Sequence, residues 1–311
     1  MQNETLNMKG QKINYSNAIL SAFDYLLTYH KDVFVLGQGL WSPWYVGNTM
    51  RDLDIKFGTD RIIDTPVSES ACTGAALGAS ITGMRPIVVH PRMDFMLYAM
   101  DSIVNEAAKW SFMFGGNSNP KLTIRAILNR GGEQGAQHSQ SLHSWFAHIP
   151  GLRVVMPSTV KDARDLLIAS VLCNDPVIYI DDRWLYEKEE VLLPIKELNL
   201  INIRPQYLSK GNDITLVGAG YSASLALEAS QKIIDANITC DVIDLRVINP
   251  FDSELICESV LKTGALIVID GGWQTCGLSS EVIACLAEKI PLDTLKTKPK
   301  RITLENTPAP T

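Results

Sequence analysis

The sequence predicts an α/β protein: mostly parallel sheet covered by helices on both faces, divided into two domains. Short apolar runs alternate along the chain with longer stretches whose apolar positions recur at helical spacing. The short runs are apolar throughout instead of at every second residue, as strands buried on both faces must be. A length of 311 residues suggests two domains at roughly 100–200 residues each.

The elements follow in order. Tyr15–Tyr29 (YSNAILSAFDYLLTY) reads as a helix, and DVFVLG as a buried strand closed by glycine. A loop rich in glycine and tryptophan, GQGLWSPWYVGN, leads to the strand RIIDTP, ended by Pro66, which has no N–H to give a ladder. SESACTGAALGASITG, a run of small residues, predicts a helix packed close to a neighbour. RPIVVH is a strand and DFMLYAMDSIVNEAAKWSFMF a long helix with an apolar stripe. LTIRAIL and GLRVVMP are strands, VKDARDLLIASVL is a helix, and PVIYID is a strand. From Leu185 to Lys210 the pattern dissolves into charged, irregular chain, read as the connection between domains. A second series follows: DITLVGAG, a helix through YSASLALEASQKIIDAN, CDVIDL, a helix near DSELICESVLKTG, ALIVID and the helix SSEVIACLAEKI. The tail RITLENTPAPT, ending in prolines, predicts an extended surface segment. The expected division is 1–190, a connection over 191–209, and 210–311.

Composition narrows the function. Apolar residues make up 46% and charged residues 20%, the balance of a folded chain and not a disordered one. A net charge of -6 and a pI near 5.4 argue against a general nucleic-acid binder, which needs a basic stripe to meet phosphates. No apolar run approaches the roughly 20 residues that span a bilayer. The start, MQNETLNMKGQK, carries no apolar signal core, so the expected location is the cytoplasm. The six cysteines form no C-x-x-C pair and read as small buried hydrophobes. His138, His143 and His148 stand five residues apart. That interval turns a helix by about 140°, so they do not share a face, and no metal site is expected.

Two places offer chemistry. Glu69, in DTPVSES, sits where a strand gives way to the small-residue helix. One reading is structural: Ser68 caps the helix and Glu69 complements its dipole. The other is a carboxyl displayed at the end of a parallel strand, where open α/β sheets bind ligands and apolar walls favour the protonated acid. His138 follows a loop with glycines at 131, 132 and 135 that can approach a ligand closely. It is a candidate acid–base group or a loop histidine bonded to nearby backbone. Gly218-x-Gly220 opens a helix as a dinucleotide loop would, but the third glycine is missing. The chain has no P-loop, no G-x-S-x-G elbow and no Gly-Asp-Gly.

The runs DTPVSESACTGAALGASITGMRPIV, DFMLYAMDSIVNEAAKW, GAQHSQSLHSWFAHIPGLRVVMPSTVKDARDLL, VIDLRVINPFDSE and KTGALIVIDGGWQTCGLSSEV resemble the beta subunit of thiamine-diphosphate-dependent 2-oxo acid dehydrogenases of the pyruvate, branched-chain and acetoin type. They are also similar to the carboxyl-terminal part of transketolase. The resemblance runs from about Tyr15 to RITLENTPAP. It implies a pyrimidine-binding α/β domain followed by a smaller transketolase C-terminal-like domain. It also implies an alpha partner whose Gly-Asp-Gly motif holds magnesium and the cofactor's diphosphate, usually in an alpha2beta2 assembly. In the family the glutamate matching Glu69 bonds a ring nitrogen of the aminopyrimidine, and the aromatic matching Phe95 packs on that ring. The histidine matching His138 lies near the reacting carbon, and Tyr98, one helical turn beyond Phe95, would line the same pocket.

Three departures stand out. Gln38 occupies a place where relatives commonly carry Glu, and His90-Pro91-Arg92-Met93 replaces a common Phe-Met-Thr-Phe run. The imidazole and guanidinium could recognise an anionic or hydroxylated substrate, or face the partner subunit. The chain ends at Pro310-Thr311, where beta subunits of the large complexes continue, so docking on an acyltransferase core is not expected. The implied activity is cleavage of a 2-oxo acid or ketose with transfer of the acyl or ketol unit. The alternative is half of a split transketolase moving a two-carbon unit to a sugar or aldehyde. Two rivals of other classes are a non-catalytic scaffold subunit and a nicotinamide oxidoreductase built on Gly218 and Gly220.

Overall fold

The computed structural model describes residues 10–132 and 134–310. Its first helix, α1 (Tyr15–Tyr29), begins where the side chain of Asn14 accepts a hydrogen bond from the N–H of Asn17 at 2.9 Å. After β1 (Gln11–Asn14) and α1 come β2 (Val33–Gly37), α2 (Leu53–Phe57), β3 (Ile62–Asp64), α3 (Glu69–Ile81) and β4 (Arg85–His90). β5 (Thr123–Leu128), α5 (His143–Ala147), β6 (Arg153–Val155), α6 (Val160–Leu172) and β7 (Val177–Asp182) follow, with α4 (Ala108–Met113) before β5. Strands β6-β7-β5-β4-β2-β3 lie side by side, all parallel.

Every residue of β5 is buried, including Arg125. The strand run tolerates this charge because Nε and Nη2 of Arg125 donate to the two carboxylate oxygens of Asp181 on β7, at 2.9 and 2.7 Å. Thr49 and Tyr186 accept further bonds from Nη1 and Nη2, so each nitrogen of the buried cation has a partner.

The second sheet has order β14-β13-β10-β11-β9. It comprises β9 (Gln206–Ser209), β10 (Ile214–Gly218), β11 (Cys240–Asp244), β13 (Leu266–Trp273) and β14 (Lys300–Leu304), with α7 (Tyr221–Lys232), α8 (Glu254–Thr263) and α9 (Leu278–Lys289) against it.

Four expectations need correcting. The irregular connection contains β8 (Glu189–Leu192), paired antiparallel to β1, and β9, an antiparallel edge on β11. All of β9 is half-buried, which mutes the apolar alternation a strand otherwise shows. The tail is not wholly a surface extension: β14 pairs parallel with β13, Ile302 beside Ile269, and the prolines come after it. The long helix divides into a 3₁₀ segment (Met93–Ala99), a π-helical segment (Asp101–Ala107) and α4. Buried Asp94 holds the first segment by accepting bonds from the N–H and side-chain amide of Gln140 at 3.2 and 2.9 Å. Lastly, β12 (Val247–Asn249), in the second series by sequence, crosses to pair antiparallel with β6 of the first sheet.

Charged groups bind that crossing. Arg246 donates to both oxygens of Asp162 at 2.9 and 2.8 Å. Asp244 accepts from Ser158 Oγ at 2.6 Å and from the N–H of Arg246 at 3.1 Å. Burial, aided by the charge of Asp162, pushes the Asp244 carboxyl up to about 7.

Candidate functional site

The carboxyl ends of β2, β3 and β4 open onto a cavity of about 910 Å³. Glu69 enters it as the first residue of α3, five residues past the end of β3 and beside the helix's free N–H groups. Ser68 makes no capping bond with its side chain, so the structural role expected of it is not filled. Glu69 is half-buried, and no hydrogen bond or ion pair reaches its carboxylate among the described residues.

Phe95 and Tyr98 lie three residues apart on the 3₁₀ segment, a spacing at which side chains eclipse. Their rings stack at 6.5 Å and 14°, with Phe95 half-buried and Tyr98 71% exposed at the rim. Gly135 (φ +83°) turns the chain into a short 3₁₀ segment that carries His138. The His138 ring meets Phe95 edge-on at 5.0 Å. Its Nδ1 is shielded from solvent and has no hydrogen-bond partner among the described residues. The structure thus brings Glu69, Phe95, Tyr98 and His138 to one cavity from three separate stretches of sequence.

The departing residues line it too. Gln38 donates its amide N–H to the Tyr45 hydroxyl at 2.9 Å. His90 is 2% exposed and shares a 3.3 Å hydrogen bond with Thr73. Burial lowers its pKa to about 4, which keeps the imidazole neutral. Arg92 spans the wall between Pro91 and Gln134. Tyr45 and Gln134 were not singled out in the sequence. Tyr45 lay inside the aromatic, glycine-rich loop, a recognisable ligand-loop signal, whereas nothing local marks a glutamine 42 residues from its arginine.

The other glycine candidate resolves differently. A Cβ on Gly218 would lie 2.7 Å from the N of Ala223, so this glycine lets strand and helix pack closely. Gly220 donates its N–H to Met156 O of the first sheet's domain at 3.2 Å, and the turn is shut into the seam between the sheets. In the same seam Asp270 faces His143 Nε2 at 3.0 Å, with side chains 1% and 2% exposed. Ser141 shares a 2.8 Å hydrogen bond with His143 Nδ1, and two backbone N–H groups, of Gly272 and Ser279, donate to Asp270. Burial works to raise the Asp270 pKa, but His143 and these bonds hold it below the usual carboxylate range. The space there is about 10 Å³, too small for a ligand.

The residues around the large cavity suit the aminopyrimidine end of thiamine diphosphate: a carboxyl, an aromatic face and a buried ring nitrogen with an open hydrogen bond. Among the described residues no group of three or more His, Cys, Asp or Glu is arranged to hold a metal ion. No described helix is long and apolar enough to cross a membrane.

Comparison with known proteins identifies the family of both domains. Residues 11–188 match the transketolase pyrimidine binding domain, and residues 205–311 match the transketolase C-terminal domain. The chain is 36% identical to the beta subunit of acetoin:2,6-dichlorophenolindophenol oxidoreductase of Cupriavidus necator, covering 96% of this chain and 91% of that one. It is 35% identical to the pyruvate dehydrogenase E1 component subunit beta of Rickettsia bellii, covering 89% and 85%. A solved split-gene transketolase, described as an inactive beta4 tetramer, shares the fold with a TM-score of 0.76 at 22% identity, over 94% of this chain and 90% of that one. The chain belongs to the transketolase-like family of thiamine-diphosphate enzymes, in the branch of 2-oxo acid dehydrogenase beta subunits.

Proposed function

We propose that this chain is the pyrimidine-binding half of a two-subunit enzyme that cleaves a 2-oxo acid and transfers the resulting acyl unit. The observation that carries this reading is the convergence of Glu69, Phe95 and His138 on one cavity. In this reading an alpha partner holds magnesium and the diphosphate, in an alpha2beta2 assembly of the cytoplasm, as the resemblance implies; the lack of a Gly-Asp-Gly in this sequence is consistent with it.

Thiamine diphosphate, when bound, supplies a carbon nucleophile and an electron sink for breaking the bond beside a ketone. This chain's residues do the rest. Phe95 and Tyr98 give an apolar wall that orients the aminopyrimidine and excludes water. Glu69 holds a proton at a ring nitrogen of that pyrimidine, and covering the cavity with the partner dries the site around the carboxyl. His138, on the cavity wall, moves a proton at the substrate's oxygen.

The test is co-expression with the alpha partner. The wild-type complex should bind thiamine diphosphate by calorimetry and turn over pyruvate with an artificial electron acceptor. Glu69→Gln should cut turnover about 10²–10⁴-fold while the chain stays folded. Unchanged turnover removes Glu69 from the chemistry. Turnover of only a ketose with an aldose acceptor would replace the dehydrogenase reading with the split-transketolase one.

A further inference from the structure

Arg92 presents its guanidinium to the cavity in an unusual state. Nε and Nη2, the parallel donors that match a carboxylate or phosphate, both end on a single neutral oxygen, Gln134 Oε1, at 3.0 and 2.8 Å. That oxygen also accepts from Asn129 Nδ2 at 3.0 Å, so three N–H groups crowd one amide acceptor. Nη1 donates to Pro91 O at 2.7 Å, which fixes the plane of the fork. The guanidinium also lies 6.0 Å from the centroid of the Tyr45 ring. No carboxylate among the described residues pairs with Arg92. Burial and the nearby charge of Arg183 work against its own charge, more than Tyr45, Asp94 and Tyr186 offset, and an anion at the fork would add to the offset. Gln134 belongs to the glycine-rich stretch leading to His138, so an incoming anion can replace its oxygen by a shift of loop and not of sheet.

From this geometry we infer that Arg92 is a specificity-determining residue that binds a second anionic group, carboxylate or phosphate, on the substrate or acceptor, distinct from the reacting carbonyl. The inference rests on the function proposed above and narrows its substrates to doubly functional ones: a 2-oxo acid with a distal carboxylate, or a phosphorylated aldehyde acceptor. Neutral His90 beside it contributes a polar floor without competing charge.

Matched substrates test it in the complex with the alpha partner. 2-Oxoglutarate is compared with 2-oxovalerate, and glyceraldehyde 3-phosphate with glyceraldehyde, which separates the carboxylate from the phosphate source. The wild type should favour the acidic member of at least one pair. Arg92→Gln should lower that acidic-to-neutral ratio of kcat/KM roughly tenfold to hundredfold, as loss of hydrogen bonds to a charged group does. Arg92→Lys should retain part of the preference, and thiamine diphosphate affinity measured by calorimetry should match across all three proteins. A wild type without acidic preference, a ratio unmoved in Arg92→Gln, or a variant that loses only the partner subunit overturns the inference. Should the wild-type complex bind no thiamine diphosphate, the preceding proposal fails. The anion subsite is then judged by titrating inorganic phosphate and glutarate: binding lost in Arg92→Gln upholds it, and no binding overturns it.

Discussion

Glu69 and His138 face a cavity of about 910 Å³ with neither the carboxylate nor Nδ1 engaged among the described residues. Asp270 and His143, in the seam between the sheets, bond each other at 3.0 Å and use their remaining atoms on Ser141, Gly272 and Ser279. Both places join an acid and a histidine near the ends of parallel strands. Residue type therefore does not distinguish a reactive pair from a structural one. The distinction lies in whether hydrogen-bonding capacity is left over and whether space adjoins it.

Substitutions can separate the two. The largest stability effect is expected from Asp270→Ala, which leaves a buried histidine and two N–H donors without their acceptor. Urea unfolding should show a loss of about 3–5 kcal/mol. An unfolding free energy within ~0.5 kcal/mol of wild type would show that the seam is as loosely held as the cavity. His138→Gln is the converse. Turnover of the complex should fall about 10²-fold, with unfolding of the chain shifted by less than ~1 kcal/mol because the ring loses its edge contact with Phe95 but no hydrogen bond among the described residues. A stability loss there would make His138 a structural residue.

The smallest effect is a pH dependence at the crossing of the two sheets. Asp244, raised to about 7 in the fold, binds more protons folded than unfolded from about pH 4 to 7. Its contribution to stability therefore falls as pH rises through that window. His90, lowered to about 4, acts oppositely: its contribution is lost as pH falls from 6.5 towards 4. The two slopes oppose each other in the wild type. Subtracting the wild-type curve from that of Asp244→Asn isolates the aspartate, and the variant should gain on the order of 1–3 kcal/mol between pH 4 and pH 8. A flat difference would mean that Asp244 is ionised throughout.

Much of this was legible in the residues. The run Tyr15–Tyr29 and the strands of the first sheet announce themselves because helical spacing and continuous apolar runs are local patterns. Glu69 and His138 are visible because a strand-to-helix joint and a glycine loop mark them. What was not legible depends on distant partners. Gln134 meets Arg92 across 42 residues, and Asp94 meets Gln140 across 46, a contact that accompanies the break in an apparently regular helix. Edge strands β9 and β14 were missed because a half-exposed edge does not need the apolar repeat of a central strand.

Strand β12 gives the chain a mechanical character. The carboxyl-terminal half lends an edge to the amino-terminal sheet, fastened at Asn249 by bonds from its amide to the backbone of Leu152 and at Arg246 by Asp162. Swinging the halves apart would mean unzipping a ladder and breaking the largely buried Arg246–Asp162 ion pair together. On the function proposed above, the alpha partner that covers the cavity governs access to Glu69.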